Sequence, residues 1–118
     1  MTKSYKSIVK DQIKSDKLEI DRAIKSGMPL DHIYFLIDIV KKDYNNLTPK
    51  TKTDQQSYSN FIQNQNIMIL HATKARINFI KYFLGNLENE QEMFKKPENI
   101  EGMKKEMEEL KRQLVLTV

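Results

Sequence analysis

A chain of 118 residues is one domain in length. Its three glycines and three prolines are too few for an all-β fold, which needs a turn every few positions. With no cysteine, disulfides, thiolate metal sites and cysteine nucleophiles are excluded. The net charge of +4 is too small to imply nucleic acid by itself.

That charge is unevenly placed. Residues 1–53 hold eleven Lys and Arg against seven Asp and Glu, residues 54–84 three against one, and residues 85–118 six against eight. A basic front and an acidic rear can pair within one molecule or between two. The start Met1-Thr2-Lys3-Ser4-Tyr5-Lys6 has no apolar signal region, and the longest apolar run, Ile33 to Ile37, is five residues. A soluble, cytoplasmic protein with no membrane insertion is expected.

The first helix is predicted over residues 5–26, closed by Gly27 with Pro29 just after it. Val9, Ile13, Ile20, Ala23 and Ile24 form its apolar stripe. Beside the stripe runs a ladder of Lys3, Lys6, Lys10, Lys14 and Lys17 at steps of three or four. Such a ladder is either a solvated flank whose methylene stems cover apolar edges or an edge that follows a polyanion. The stripe lacks the Trp and Phe that favour a membrane surface.

The second helix is predicted over residues 29–44, with Pro29 in its first turn. Ile33, Tyr34, Leu36, Ile37, Ile39, Val40 and Tyr44 wrap most of its circumference, so it should be the most buried element. Asp31-His32 in its first turn is a surface pair and no metal site on its own. Residues 45–53 have no period, contain Pro49, and are expected to be an exposed linker.

A single long helix is predicted over residues 54–94, starting at Thr53 or Asp54. Tyr58, Ile62, Ile69, Ala72, Phe79, Ile80, Phe83 and Leu87 stack on one side, opposite Asn60, Asn64, His71, Lys74, Asn78 and Lys81. Gly85 is its weak link, but Leu87 and Phe94 keep the seven-residue spacing from Ile80, so the helix is expected to run through. Such a rod would span roughly 60 Å and would need another helix or another chain to cover it. Gln63, Asn64, Gln65, Asn66 and Arg76 set polar groups along it. Buried, they would specify register or helix number; at a bundle edge, Arg76 would reach water.

After a break near Pro97, a last helix is predicted over residues 98–115. Ile100, Met103, Met107, Leu110 and Leu114 step by three and four, the a/d pattern of a coiled-coil seam over two heptads. It should fold back on the long helix or pair with its copy. Leu114, Val115, Leu116 and Val118 leave an apolar tail that a lone monomer would not gain from exposing.

No catalytic or metal constellation stands out. Two histidines, no glycine-rich phosphate loop and no His-Glu-x-x-His pattern are present. The carboxylates of Glu88, Glu90, Glu92, Glu106, Glu108 and Glu109 lie in mixed-charge runs, which are usually solvated faces.

The segment His71-Ala72-Thr73-Lys74-Ala75 resembles the signature of histidine phosphotransfer domains, which are helical bundles of this length. The resemblance implies an exposed helical imidazole at His71 that takes the phosphoryl group and an ammonium at Lys74, one turn on, that balances its charge. Thr73 stands where the signature has an apolar residue, and Ala75 where it has glycine.

The sequence therefore predicts an all-α bundle: a single helical domain with one long central helix and a C-terminal coiled-coil-like helix. The expected function is a non-enzymatic, regulatory interaction or oligomerisation module without cofactor or metal. It would meet a protein partner and form a homodimer or higher oligomer through Ile80, Phe83, Leu87, Phe94, Met103, Met107, Leu110 and Leu114. The alternatives are a nucleic-acid-binding regulator using Lys3, Lys6, Lys10, Lys14 and Lys17, and a phosphotransfer domain using His71 and Lys74.

Overall fold

The computed structural model describes residues 4–117. It contains five α-helices and, among the described residues, no strand. They are α1 (Tyr5–Lys25), α2 (Leu30–Asn45), α3 (Lys52–Gln63), α4 (Gln65–Gly85) and α5 (Pro97–Thr117), with short 3₁₀ turns at Leu87–Asn89 and Glu92–Phe94. No helix of the described chain is long and apolar enough to cross a membrane. All-α is the fold.

Helix α1 begins where the Ser4 hydroxyl accepts from the Ser7 N–H. It ends in a Schellman motif: Met28 N–H donates to Ala23 O and Gly27 N–H to Ile24 O, with Gly27 at φ 70°. A side chain at Gly27 would be doubly opposed. Its Cβ would lie 2.6 Å from Phe79 Cβ and 3.2 Å from Ala75 O, so glycine also lets α4 cross close to the α1–α2 turn.

Val9, Ile13, Ile20 and Ala23 are buried, as their spacing predicts. They meet Ile33, Leu36, Ile37, Val40 and Tyr44 of α2. Helix α2 is less enclosed than its composition suggests, because Tyr34 and Phe35 are exposed. The segment 45–53 is not simply a solvated linker. Leu47 is buried in the main core, and Pro49 O accepts from the Lys6 ammonium.

The single helix expected over 54–94 is two helices and a turn. Its first cap is Thr51, two residues earlier than expected. The Thr51 hydroxyl accepts from Asp54 N–H while the Asp54 carboxylate accepts from Thr51 N–H, a reciprocal capping box. At Asn64 the helix is interrupted, in a run of four amide side chains whose members compete poorly for helical backbone. Hydrogen bonds still link Asn64 N–H to Asn60 O and Met68 N–H to Asn64 O, so the chain is jogged rather than reversed. The buried face changes with it: Phe61, not Ile62, faces inward, and Phe79 is exposed. The second end falls at Gly85, where Asn86 caps by donating from its side chain to Tyr82 O.

The turns after Gly85 send α5 back along α4. Ile77, Ile80 and Leu110 form a second small core, with Leu84, Met103, Met107 and Leu114 around it. Helix α4 is thus the central element, packed against all four others.

The result is a slab of 54 × 36 × 17 Å with a radius of gyration of 18.0 Å. A compact chain of this length would have a radius of about 13.5 Å. The accessible surface is 8398 Å², against about 6,700 Å² for a compact monomer of this mass. The excess is about 1,700 Å².

Candidate interaction surfaces

The residues expected at an oligomer interface are largely used within the chain. Ile80, Phe83 and Leu110 are buried, Met103, Met107 and Leu114 pack around them, Leu87 is half-buried and Phe94 is exposed. The 3-4-3-4 seam of α5 packs on α4 of the same molecule through Met103, Met107, Leu110 and Leu114.

The lysine ladder is likewise drawn inward. Lys6 lies 2.8 Å and Lys10 3.5 Å from the buried Asp54 carboxylate. Lys17 donates to the Tyr44 hydroxyl, which shares a 2.7 Å hydrogen bond with Ser57. Its ammonium also sits 5.0 Å from the Tyr44 ring and 5.6 Å from the Phe61 ring. Lys14 is exposed, and Lys3 lies outside the described residues. Lys6 and Lys10 therefore share an internal acid. Lys6 and the capping N–H of Thr51 hold the Asp54 carboxyl far below the usual carboxylate range.

His71 and Lys74 are both exposed on α4. Thr73 between them is buried and donates to Ile69 O at 2.7 Å. The imidazole borders a hollow against Asp21 and Lys25 of α1.

Three features were not foreseen from the sequence. The first is the partner of Arg76, whose burial was one of the two outcomes expected for it: the guanidinium forks onto Glu106 at 2.6 and 3.0 Å, with its remaining nitrogen donating to Gly27 O at 3.0 Å. That single side chain joins α4, α5 and the α1–α2 turn. Asp16 of α1 and Asp43 of α2 meet through their carboxyls. The Oδ2 atom of each is shielded from solvent and lacks a donor, so the contact becomes a hydrogen bond only when one oxygen is protonated. Burial, then the Asp16 carboxyl beside it, pushes Asp43 up to about 7.

The third is a groove between α1 and α3, the largest hollow described, of about 890 Å³. Ile20, Phe61 and Met68 lie along its base, with Lys17, Lys52, Gln56 and Asn60 at its edges. A second, smaller hollow of about 360 Å³ lies among α2, α4 and the end of α5, bounded by Tyr34, Leu70, Leu114 and Leu116. No group of three or more His, Cys, Asp or Glu that could hold a metal occurs among the described residues.

No protein-family model, curated protein or solved structure matches this chain.

Proposed function

We propose that this chain is a non-enzymatic helical interaction module that self-associates. The observation that carries the reading is its shape: a slab 17 Å thick with about 1,700 Å² more surface than a compact monomer exposes, about twice the roughly 800 Å² that one partner contributes to a standard interface. The hollow among α2, α4 and α5, whose lining mixes Tyr34, Ile69, Leu70, Leu114 and Leu116 with Gln65, Asn66, Thr73 and Gln113, is the surface we assign to the second copy. Tyr34, Val115 and Leu116 are 45%, 76% and 81% exposed there or beside it, and burying such side chains is the main driving force for association. This differs from the interface expected from the α5 seam, which closes on α4.

Molar mass by light scattering over a concentration series tests the reading. The mass is expected to rise toward a dimer, and Leu116→Glu with Tyr34→Glu to hold it at the monomer value without loss of helix content. A wild-type chain that stays monomeric at millimolar concentration would overturn it.

A histidine-phosphotransfer role is the second reading, favoured by the exposure of both the His71 ring and Lys74. Acid-labile labelling by a small phosphodonor that disappears in His71→Gln would support it. Equal labelling of both proteins would remove it.

A further inference from the structure

The hollow between α1 and α3 is the middle of three adjoining hollows that share lining residues and together make an interrupted channel, crossed by the Lys17–Tyr44–Ser57 hydrogen bonds. It shares Lys17, Thr53 and Ser57 with a hollow of about 340 Å³ toward the start of α1. It shares Asp21, Asn64 and Met68 with one of about 270 Å³ that ends at His71. On the α1 side the channel reaches from Lys10 to Lys25, or about 22 Å at 1.5 Å per residue. That length matches four turns of a helix. It is open along its side and not enclosed like a small-molecule cavity, and α1 and α3 are held apart by their common packing on α2 and α4.

The chemistry of the channel is two-sided. Phe61, Met68 and Ile67 supply apolar surface, and Ile67 is 54% exposed at the far end. Lys14, Lys17, Lys25 and Lys52 lie along the edges. Their acidic company is Asp54, already held by Lys6 and Lys10, and Asp21. Lys6 and Lys10 share the single Asp54 carboxylate, whereas the channel rungs Lys14 and Lys17 have no carboxylate partner among the described residues; Lys17 meets a neutral hydroxyl and two ring faces.

We infer that this channel docks an acidic amphipathic helix of about 15 residues from a partner protein. An apolar stripe at i, i+3, i+4 and i+7 would lie on Met68, Ile67 and the edge of Phe61, as helix-in-groove recognition requires. Glutamates flanking that stripe would meet Lys14, Lys25 and Lys52. A nucleic acid would use the lysines but leave the apolar base uncovered. The exposed amides Gln56 and Asn60 stand at the rim, where interfaces are polar. This surface is separate from the hollow assigned to self-association, so the two proposals fail independently.

The test uses the full chain, uniformly labelled with ¹⁵N, and three probes of similar length. One is a capped synthetic peptide with leucines at the stripe positions and glutamates elsewhere. The second replaces every glutamate by lysine, and the third is a single-stranded oligonucleotide. The acidic peptide is expected to shift amide resonances of Lys14–Lys25 and Gln56–His71 and few others. Lys14→Glu with Lys25→Glu and Lys52→Glu, all at exposed positions, should weaken it roughly ten-fold or more. Asn60→Trp, which fills the channel without touching the core, should weaken it comparably while leaving the charge intact. The proposal is overturned if the acidic peptide does not bind at millimolar concentration, or if the lysine peptide binds as well. Tighter binding of the oligonucleotide in the channel, shifts that map elsewhere, or an indifferent Asn60→Trp would overturn it equally.

Discussion

Arg76 of α4 and Glu106 of α5 meet in a two-bonded fork at 2.6 and 3.0 Å, with the arginine side chain 9% exposed and the glutamate 33%. The third bond, to Gly27 O, anchors the same guanidinium to the α1–α2 turn. Removing the acid leaves a cation inside the bundle with one carbonyl and the Phe79 ring face, 5.1 Å away, for company. Glu106→Ala is therefore expected to lower stability by about 2–4 kcal/mol. Arg76→Met with Glu106→Leu should recover much of that loss, because neither charge then needs desolvation. Urea midpoints of Arg76→Met, Glu106→Leu and their double give the coupling. A double variant as unstable as Glu106→Ala would show that the fork is not the source of the loss.

Gly27 and Gly85 separate conformation from propensity. Gly27 has φ 70° and faces Phe79 Cβ at 2.6 Å, whereas nothing lies within 4 Å of a Cβ at Gly85. Gly27→Ala should cost about 2–4 kcal/mol through strain and displacement of α4. Gly85→Ala, at the last position of α4, should stabilise by up to about 1 kcal/mol. Thermal melts of both variants check the pair, and equal shifts would contradict the argument.

Features carried by neighbours in sequence were legible there; features made by distant residues were not. The α1 stripe, the Gly27 stop and the α5 seam depend on residues within a turn or two of one another, and all three are present. The Thr51-x-x-Asp54 box was also local but lay behind a lysine, ahead of the apolar period that marked the start. The end of the helix at Gly85 turned on a balance of local propensity against a seven-residue spacing that the short 3₁₀ turns do not use. Asp54 meets Lys6 across 48 positions, Asp16 meets Asp43 across 27, and Arg76 meets Glu106 across 30. No local pattern encodes those pairings, and each moves a charge from an assumed solvent face into the fold. The channel beside α1 has the same origin, since its two walls come from segments far apart in sequence that share their packing on α2 and α4 and are tied directly by Lys6 and Lys10 to Asp54.

The two perturbed aspartates pull stability in opposite directions along the pH scale. Asp54 is held below its unfolded pKa, so its contribution is present above about 4 and lost as pH falls below that. Asp43 is pushed up to about 7, so the native state retains a proton that the unfolded chain releases near 4. Its contribution is complete below about 4 and lost as pH rises toward 7. Asp43→Asn supplies a permanent donor to Asp16 and removes that decline. It should stabilise the protein at pH 8 by on the order of 1–2 kcal/mol, less than a full shift implies because both residues are partly exposed. At pH 4 it should change little. Urea midpoints at four values between pH 4 and 8 check this, and a difference independent of pH would refute the shared proton.

Helix α5 should open before the rest of the fold. Twelve buried residues hold the core around α1 and α2, but only Ile77, Ile80 and Leu110 form the one beneath α5. Local opening follows the apolar contacts that a unit must break, so α5 amides should exchange faster than those of α1 and α2 in the native state. Leu110 is the one buried side chain among the described residues of α5, at 4% exposure, and Leu110→Ala should cost about 2–5 kcal/mol. Because the opening is local, that loss should appear as roughly 30-fold or greater acceleration within Pro97–Thr117 and the facing turns of α4. Val9–Ala23 and Ile33–Tyr44 should keep their protection. Hydrogen exchange read peptide by peptide decides it: uniform acceleration across all five helices would mean that the two cores melt as one.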